Sequence, residues 1–191
     1  MTIARGALWA GDLTRISCDE PGTPGYVLIE ARAAWLLDEV AKVAGPAPVV
    51  RERVERGCRV WVAWAMDADE VAAWLWISTG SEWAPPLRHM LELGDDCYGW
   101  DADTLPGHRG HGLFTGLLLA AGRRMAGEGH RLMWGGILDE NVASQRANAA
   151  AGLRPVLHVV AVHDPAPTVL RTRRVEYADR RLADQARRLL A

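Results

Sequence analysis

Apolar residues recur at helical spacing in several segments and form strand-length runs between them. Trp35, Leu36, Val40 and Val43 follow a helical stripe that Gly45-Pro46 stops. A short second helix over Val49–Arg56 is closed by Gly57. Within Gly112–Ala126, Leu113, Leu117, Ala121 and Met125 stand at i, i+4 spacing, and Phe114 and Leu118 widen the stripe into a face. Asn141–Ala151 predicts a further helix ended by Gly152. Arg59–Met66 and Val71–Ser78, joined by Asp67-Ala68-Asp69-Glu70, predict an antiparallel hairpin rich in Trp and Val. Tyr26–Ile29, Tyr98–Leu105, Leu132–Leu138, Pro155–Val162 and Thr168–Tyr177 predict further strands. Residues 1–25 are poorly periodic and end in the turn-rich Glu20–Gly25, and Ser81–Asp95 is mixed, with Pro85-Pro86 opening a helical turn. From Tyr98 the order is strand, loop, helix, strand, helix, strand, strand, an α/β arrangement with a mixed sheet.

Composition bounds the function. With 191 residues, 49% of them hydrophobic, the chain predicts a single domain with a substantial core. A formal charge of −2 argues against a general nucleic-acid binder. Cys18, Cys58 and Cys97 are widely spaced without a CxxC pair, so neither a disulfide framework nor a structural zinc site is expected, and a reducing cytoplasm fits. The first residues lack the apolar run of a signal peptide, and no stretch approaches the ~20 apolar residues that span a bilayer. No histidine pair has metal-ligand spacing with a carboxylate, so no metal is expected.

The chemistry concentrates in Leu105–Thr115, LPGHRGHGLFT, between a strand and the longest helix. Glycine lets successive backbone N–H groups converge on one point, and the first turn of the next helix adds unpaired donors and a positive dipole end. Arg109 adds a charge-assisted fork. Such a loop binds a diphosphate. Gly110, Gly112 and Gly116, with Asp139 after the next strand, also resemble a Rossmann variant. That reading ranks second, because Asp101 and Asp103 stand in the preceding strand and Pro106-Gly107-His108-Arg109 intervenes before the glycine turn.

Arg109-Gly110-His111-Gly112-Leu113, with Phe114 at the last position and Pro106 ahead, resembles the cofactor motif of the GNAT superfamily of acyl-CoA-dependent N-acyltransferases. Asn141-Val142-Ala143-Ser144, then Asn148, then Ala151-Gly152-Leu153, resembles that family's second block. The resemblance covers roughly Arg59–Val162. It implies a mixed, mostly antiparallel sheet with helices on both faces and a splayed central strand, and acetyl-CoA as co-substrate. By the same resemblance the motif-bearing core is about 59–162 within one domain, 1–191.

The resemblance also implies roles. Ala102, Asp103 and Thr104 would act through their backbones on the pantetheine arm, and Asn141 and Ser144 would contact the cofactor. Gly110, His111, Gly112, Leu113, Phe114 and Thr115 would carry the pyrophosphate beside Arg109. Asn148 stands where many members have a tyrosine that protonates the leaving thiolate, and an amide is no acid near neutral pH. Asp101 is the preferred base, Asp103 the other candidate, with Tyr98 ordering a water. Strand parity puts Asp101 and Asp103 on one face, opposite Tyr98, Trp100 and Ala102, unless a bulge intervenes. The plain alternative is a strand-face aspartate bonded to backbone or to a nearby arginine. His108 and His111 read as solvent-facing loop positions.

Nine tryptophans are unusual; Trp74 and Trp76 share a strand face, and one or two tryptophans would reach the acceptor pocket. Arginines dominate Arg171–Ala191, where residues 178–191 predict an amphipathic docking helix. The expectation is an N-acetyltransferase in which a primary amine attacks acetyl-CoA directly. The acceptor is a small molecule or peptide, and no nucleic-acid or membrane partner is expected; the resemblance allows a homodimer. The other reading is an acyl-CoA-binding module or degenerate homologue with a sensing or structural role.

Overall fold

The computed structural model describes residues 2–16, 22–85, 87–163 and 168–191. Cys18, Pro86 and the start of the Glu20–Gly25 turn lie outside them. One eight-stranded sheet runs in the order β2-β3-β4-β5-β6-β1-β7-β8. The strands are β1 (Thr2–Asp12), β2 (Tyr26–Glu30), β3 (Arg59–Ala65), β4 (Glu70–Ala84), β5 (His89–Thr104), β6 (Leu132–Leu138), β7 (Arg154–His163) and β8 (Val169–Arg174). The helices are α1 (Ala34–Val43), α2 (Ala47–Glu55), α3 (Leu113–Gly127), α4 (Val142–Ala150) and α5 (Arg180–Arg188). The sheet is mixed and mostly antiparallel, as the resemblance implied.

Alternation along the strands divides the core. On one face, α3 lies over Trp61, Ala63, Leu75, Ile77, Met133 and Ile137, with Ala149 and Ala151 of the α4 region against the same cluster. On the other, α1 and α2 cover Val60, Val62, Trp74 and Trp76, while Ala183, Ala186 and Leu189 of the α5 region seal Leu8, Trp134, Leu157 and Val159. Arg59 ties this frame together. Its guanidinium meets Glu30 of β2 at 2.7 Å and Glu128 at the end of α3 at 2.5 Å. Burial pushes the Glu30 carboxyl up, but Arg59 and Arg32 outweigh it and hold it below its ordinary value.

Two expectations are corrected. The poorly periodic N-terminus contains β1, which lies between β6 and β7 in the sheet interior. Ala7–Ala10 are buried in succession because both faces are covered, so no alternation shows in the sequence. Ser81–Asp95 is not mixed: β4 continues to Ala84 and β5 begins at His89, with Ser81 opposite Glu92 and Trp83 opposite Met90. Register shifts around Gly80 break the run, and Pro85, Leu87 and Arg88 lie in the turn between the two strands.

Two irregularities in β5 create the site. Trp74 pairs with Asp103 and Trp76 with Trp100, so Asp101 and Ala102 together oppose Leu75 in a bulge. Asp101 sits at φ 40, a left-handed conformation that Asp tolerates better than most residues. The bulge cancels the expected parity, because Asp103, paired with Trp74, lands on that tryptophan's face. The second irregularity is the β5–β6 pair, which is parallel where the other paired strands are antiparallel. It joins only Cys97–Gly99 to Met133–Gly135 before the strands part.

Candidate functional site

A cavity of ≈ 700 Å³ opens where β5 and β6 part and extends to the start of α3. Asp101, Ala102, Asp103, Thr104, Arg109, Gly110, Gly112, Leu113, Phe114, Thr115, Asn141, Ser144 and Asn148 all line it, so motifs distant in sequence converge on one volume. His111 and Tyr98 are not among the residues that line it.

At one end the backbone is arranged for an anion. Gly110 and Gly112 have φ of 85 and 72, and Gly112 is the N-cap of α3 without any side-chain cap. The amides of Leu113, Phe114 and Thr115 therefore begin the helix with no intrahelical acceptor. A Cβ added at Gly112 would meet no protein atom within 4 Å, so the space before these donors is open. Arg109 donates from Nε to the Thr104 carbonyl at 3.0 Å, and its Nη2 is 3.5 Å from Asp103. Thr115 donates to the Ala147 carbonyl at 3.3 Å, tying α3 to α4.

His108 corrects the solvent-facing expectation, since its side chain is only 16% exposed. The carboxylate of Glu70 can only accept, so His108 Nε2 carries the proton in that 3.0 Å contact. Nδ1 of the same ring is 3.0 Å from the Tyr26 hydroxyl. Together these bonds fasten the loop to β2 and β4. His111 is exposed, its ring 5.6 Å from that of Tyr26.

At the apex, Asn148 is buried. Its Nδ2 donates to the Ser144 carbonyl at 2.9 Å and lies 3.2 Å from Ser144 Oγ, so the amide's donors are spent within α4. Asn141 caps that helix by accepting from the Ser144 N–H at 3.1 Å. Tyr98 points into the opposite core, where the Gly136 N–H donates toward its hydroxyl and burial pushes its phenol up to about 12. A Cβ on Gly136 would stand 2.9 Å from that hydroxyl oxygen. Gly136→Ala should therefore destabilise the fold by about 1–3 kcal/mol. Adding Tyr98→Phe should relieve part of that cost, giving clear non-additivity in denaturant titrations; additive effects would show that the contact is not strained.

At the other end Asp101 is paired with Arg53 of α2. The Arg53 guanidinium lies over the indoles of Trp76 and Trp100, 5.0 and 4.6 Å from their centroids. Trp100 donates from Nε1 to Ser78 Oγ at 2.8 Å, and Ser78 donates to the buried Glu82 at 2.5 Å. Trp100 and Trp134 are the tryptophans that reach the cavity. Arg53 was not singled out from the sequence: it belongs to no motif, and its partner is 48 positions away. Among the described residues, no group of three His, Cys, Asp or Glu side chains could hold a metal ion, and no helix is long and apolar enough to cross a membrane.

No protein-family model matches the chain, and no curated protein is similar to it. Solved structures are. An acetyltransferase of the GNAT family from Colwellia psychrerythraea is 15% identical, with 84% of this chain and 56% of that one covered at a TM-score of 0.60. A GCN5-related N-acetyltransferase from Sphaerobacter thermophilus is 12% identical, covering 93% and 54% at 0.61. A putative GNAT-family acetyltransferase from Novosphingobium aromaticivorans is 14% identical, covering 92% and 66% at 0.58. The chain spans between about half and two-thirds of these proteins' length.

Proposed function

From a chain that has the fold of the GNAT acetyltransferases, we propose an N-acetyltransferase that carries an acetyl group from acetyl-CoA to a primary amine by direct attack. The carrying observation is that the uncapped start of α3, with Gly110 and Gly112, faces the same cavity as the parting of β5 and β6. Acetyl-CoA supplies an activated thioester when bound. The amides of Leu113, Phe114 and Thr115 hold its diphosphate, with Arg109 swinging from Thr104 to add a charged fork. Backbone groups of Ala102–Thr104, which β6 leaves unpaired, hold the pantetheine arm and polarise the carbonyl.

Asp101 takes the proton that the amine must lose. Asn148 does not serve the leaving sulfur, because its donors are committed. Ser144 can: its oxygen accepts from Asn148, which leaves its own hydroxyl proton to donate into the cavity it lines. Calorimetry with acetyl-CoA, followed by thiol release across a panel of amines, tests the reading. Binding with release supports it; binding without release on any amine leaves a binding module instead; absence of binding ends both.

A further inference from the structure

The layer formed by α3 and α4 ends before the sheet does. On their side of the sheet, the last three strands carry three cross-strand rows: Ile3, Val162 and Val169; Arg5, Val160 and Arg171; Ala7, His158 and Arg173. Ala7 belongs to the core under α3, which fixes the face that all three rows share. The reverse side of these strands is sealed by the α5 region, and there Arg174, paired with Leu157, donates to the Glu176 and Ala178 carbonyls. The α3 side has no such cover. Ile3 and Val169 are 45% and 49% exposed, and Val160 and Val162 belong to none of the buried apolar clusters. Arg5, Arg171 and Arg173 are exposed, and among the described residues no ion pair or hydrogen bond engages their guanidinium groups. Apart from Asp12 at the far end of β1, the three strands contain no acidic residue.

We infer that this face docks an acidic amphipathic helix of a partner protein. Neighbouring strands lie about 4.8 Å from each other, so β1 and β8 stand about 10 Å apart across β7. That is the width of a helix. A helix along β7 sets its apolar stripe on Val160 and Val162, with Ile3 and Val169 at one end. Carboxylates on its two flanks then meet Arg5 on one side and Arg171 and Arg173 on the other. Such a helix continues the layer that α3 and α4 begin. Aliphatic side chains interleaved with arginine, and no lysine, suit a protein partner. The face carries no Trp, Tyr or Phe, which stacked bases or a bilayer boundary would call for. A second copy laid face to face would set arginine against arginine. None of these side chains lines the cavity, so the inference stands apart from the acyltransferase reading.

The probe is a synthetic helix with leucine at i, i+3, i+4 and i+7 spacing and glutamate on both flanks, titrated into the full chain. Backbone amide NMR should show shifts on β1, β7 and β8 around Arg5, Val160 and Arg171. Replacing the probe's glutamates by glutamine, or its leucines by serine, should each weaken binding by about 10-fold or more. Arg5→Glu combined with Arg171→Glu should weaken the acidic helix by a similar factor and bring in a lysine-flanked one, an exchange that damage to the fold cannot mimic. Acetyl-CoA affinity by calorimetry should hold in that variant. The inference is overturned if the acidic helix does not bind or shifts other residues, or if the serine probe binds equally, which would leave charge alone. It is equally overturned if a single-stranded oligonucleotide or phosphatidylglycerol vesicles take the same residues more tightly than the helix. A dimer in sedimentation that the double variant dissolves would assign the face to a second copy instead.

Discussion

Gly112→Val is expected to weaken acetyl-CoA binding by about 100-fold or more, roughly 2.7 kcal/mol in calorimetry. Two costs combine. At φ 72 a β-branched residue occupies a conformation disfavoured by about 1–2 kcal/mol, so the loop relaxes and its amides diverge. The added methyl groups also enter the open space before the α3 amides, where the diphosphate must approach. Beyond its chain neighbours and the helix's own backbone, the new Cβ meets no atom within 4 Å, so it is not itself crowded. The thermal midpoint should fall by only several degrees, at about 2–4 °C per kcal/mol for a chain of this size. Gly112→Ala should fall between the two. Affinity within a few-fold of the parent would mean that the diphosphate binds elsewhere.

The second large effect is on the rate. Asp101→Asn should lower kcat by about 100-fold or more, the usual worth of a positioned base, while leaving acetyl-CoA affinity intact. Asparagine is the informative replacement because it tolerates the left-handed backbone at φ 40 and its amide oxygen still accepts from Arg53. Alanine would confound the result by straining the bulge. The deficit should shrink as pH rises, because a larger fraction of the amine then arrives already neutral. A pH-independent deficit, or an unchanged rate, would remove Asp101 from proton transfer.

Much of the glycine loop and of α4 was legible because the backbone there demands particular residues. Glycine at 110 and 112 is needed for positive φ, and Asn141 and Gly152 mark the two ends of α4 by general capping rules. The Arg53–Asp101 pair was not legible. Arg53 sits in a polar helix whose sequence gives no reason for one arginine to turn inward, and the approach of its guanidinium to Trp76 and Trp100 exists only once α2 lies across β4 and β5. Strand parity failed at Asp101 because a bulge is one extra residue with no compositional mark. β1 was hidden because a strand covered on both sides loses its period-two signature. Tyr98 was placed on the correct strand, but its hydroxyl lies against Gly136, a contact fixed by the β5–β6 register.

The arginines of β8 have a consequence for self-association. This strand pairs with β7 along one side and ends the sheet, and Arg171, Arg173 and Arg174 are all exposed on it. Two copies aligning these outer strands would bring like charges together before any backbone ladder could form. The border that an uncovered edge strand offers to fibril growth thus carries its own deterrent.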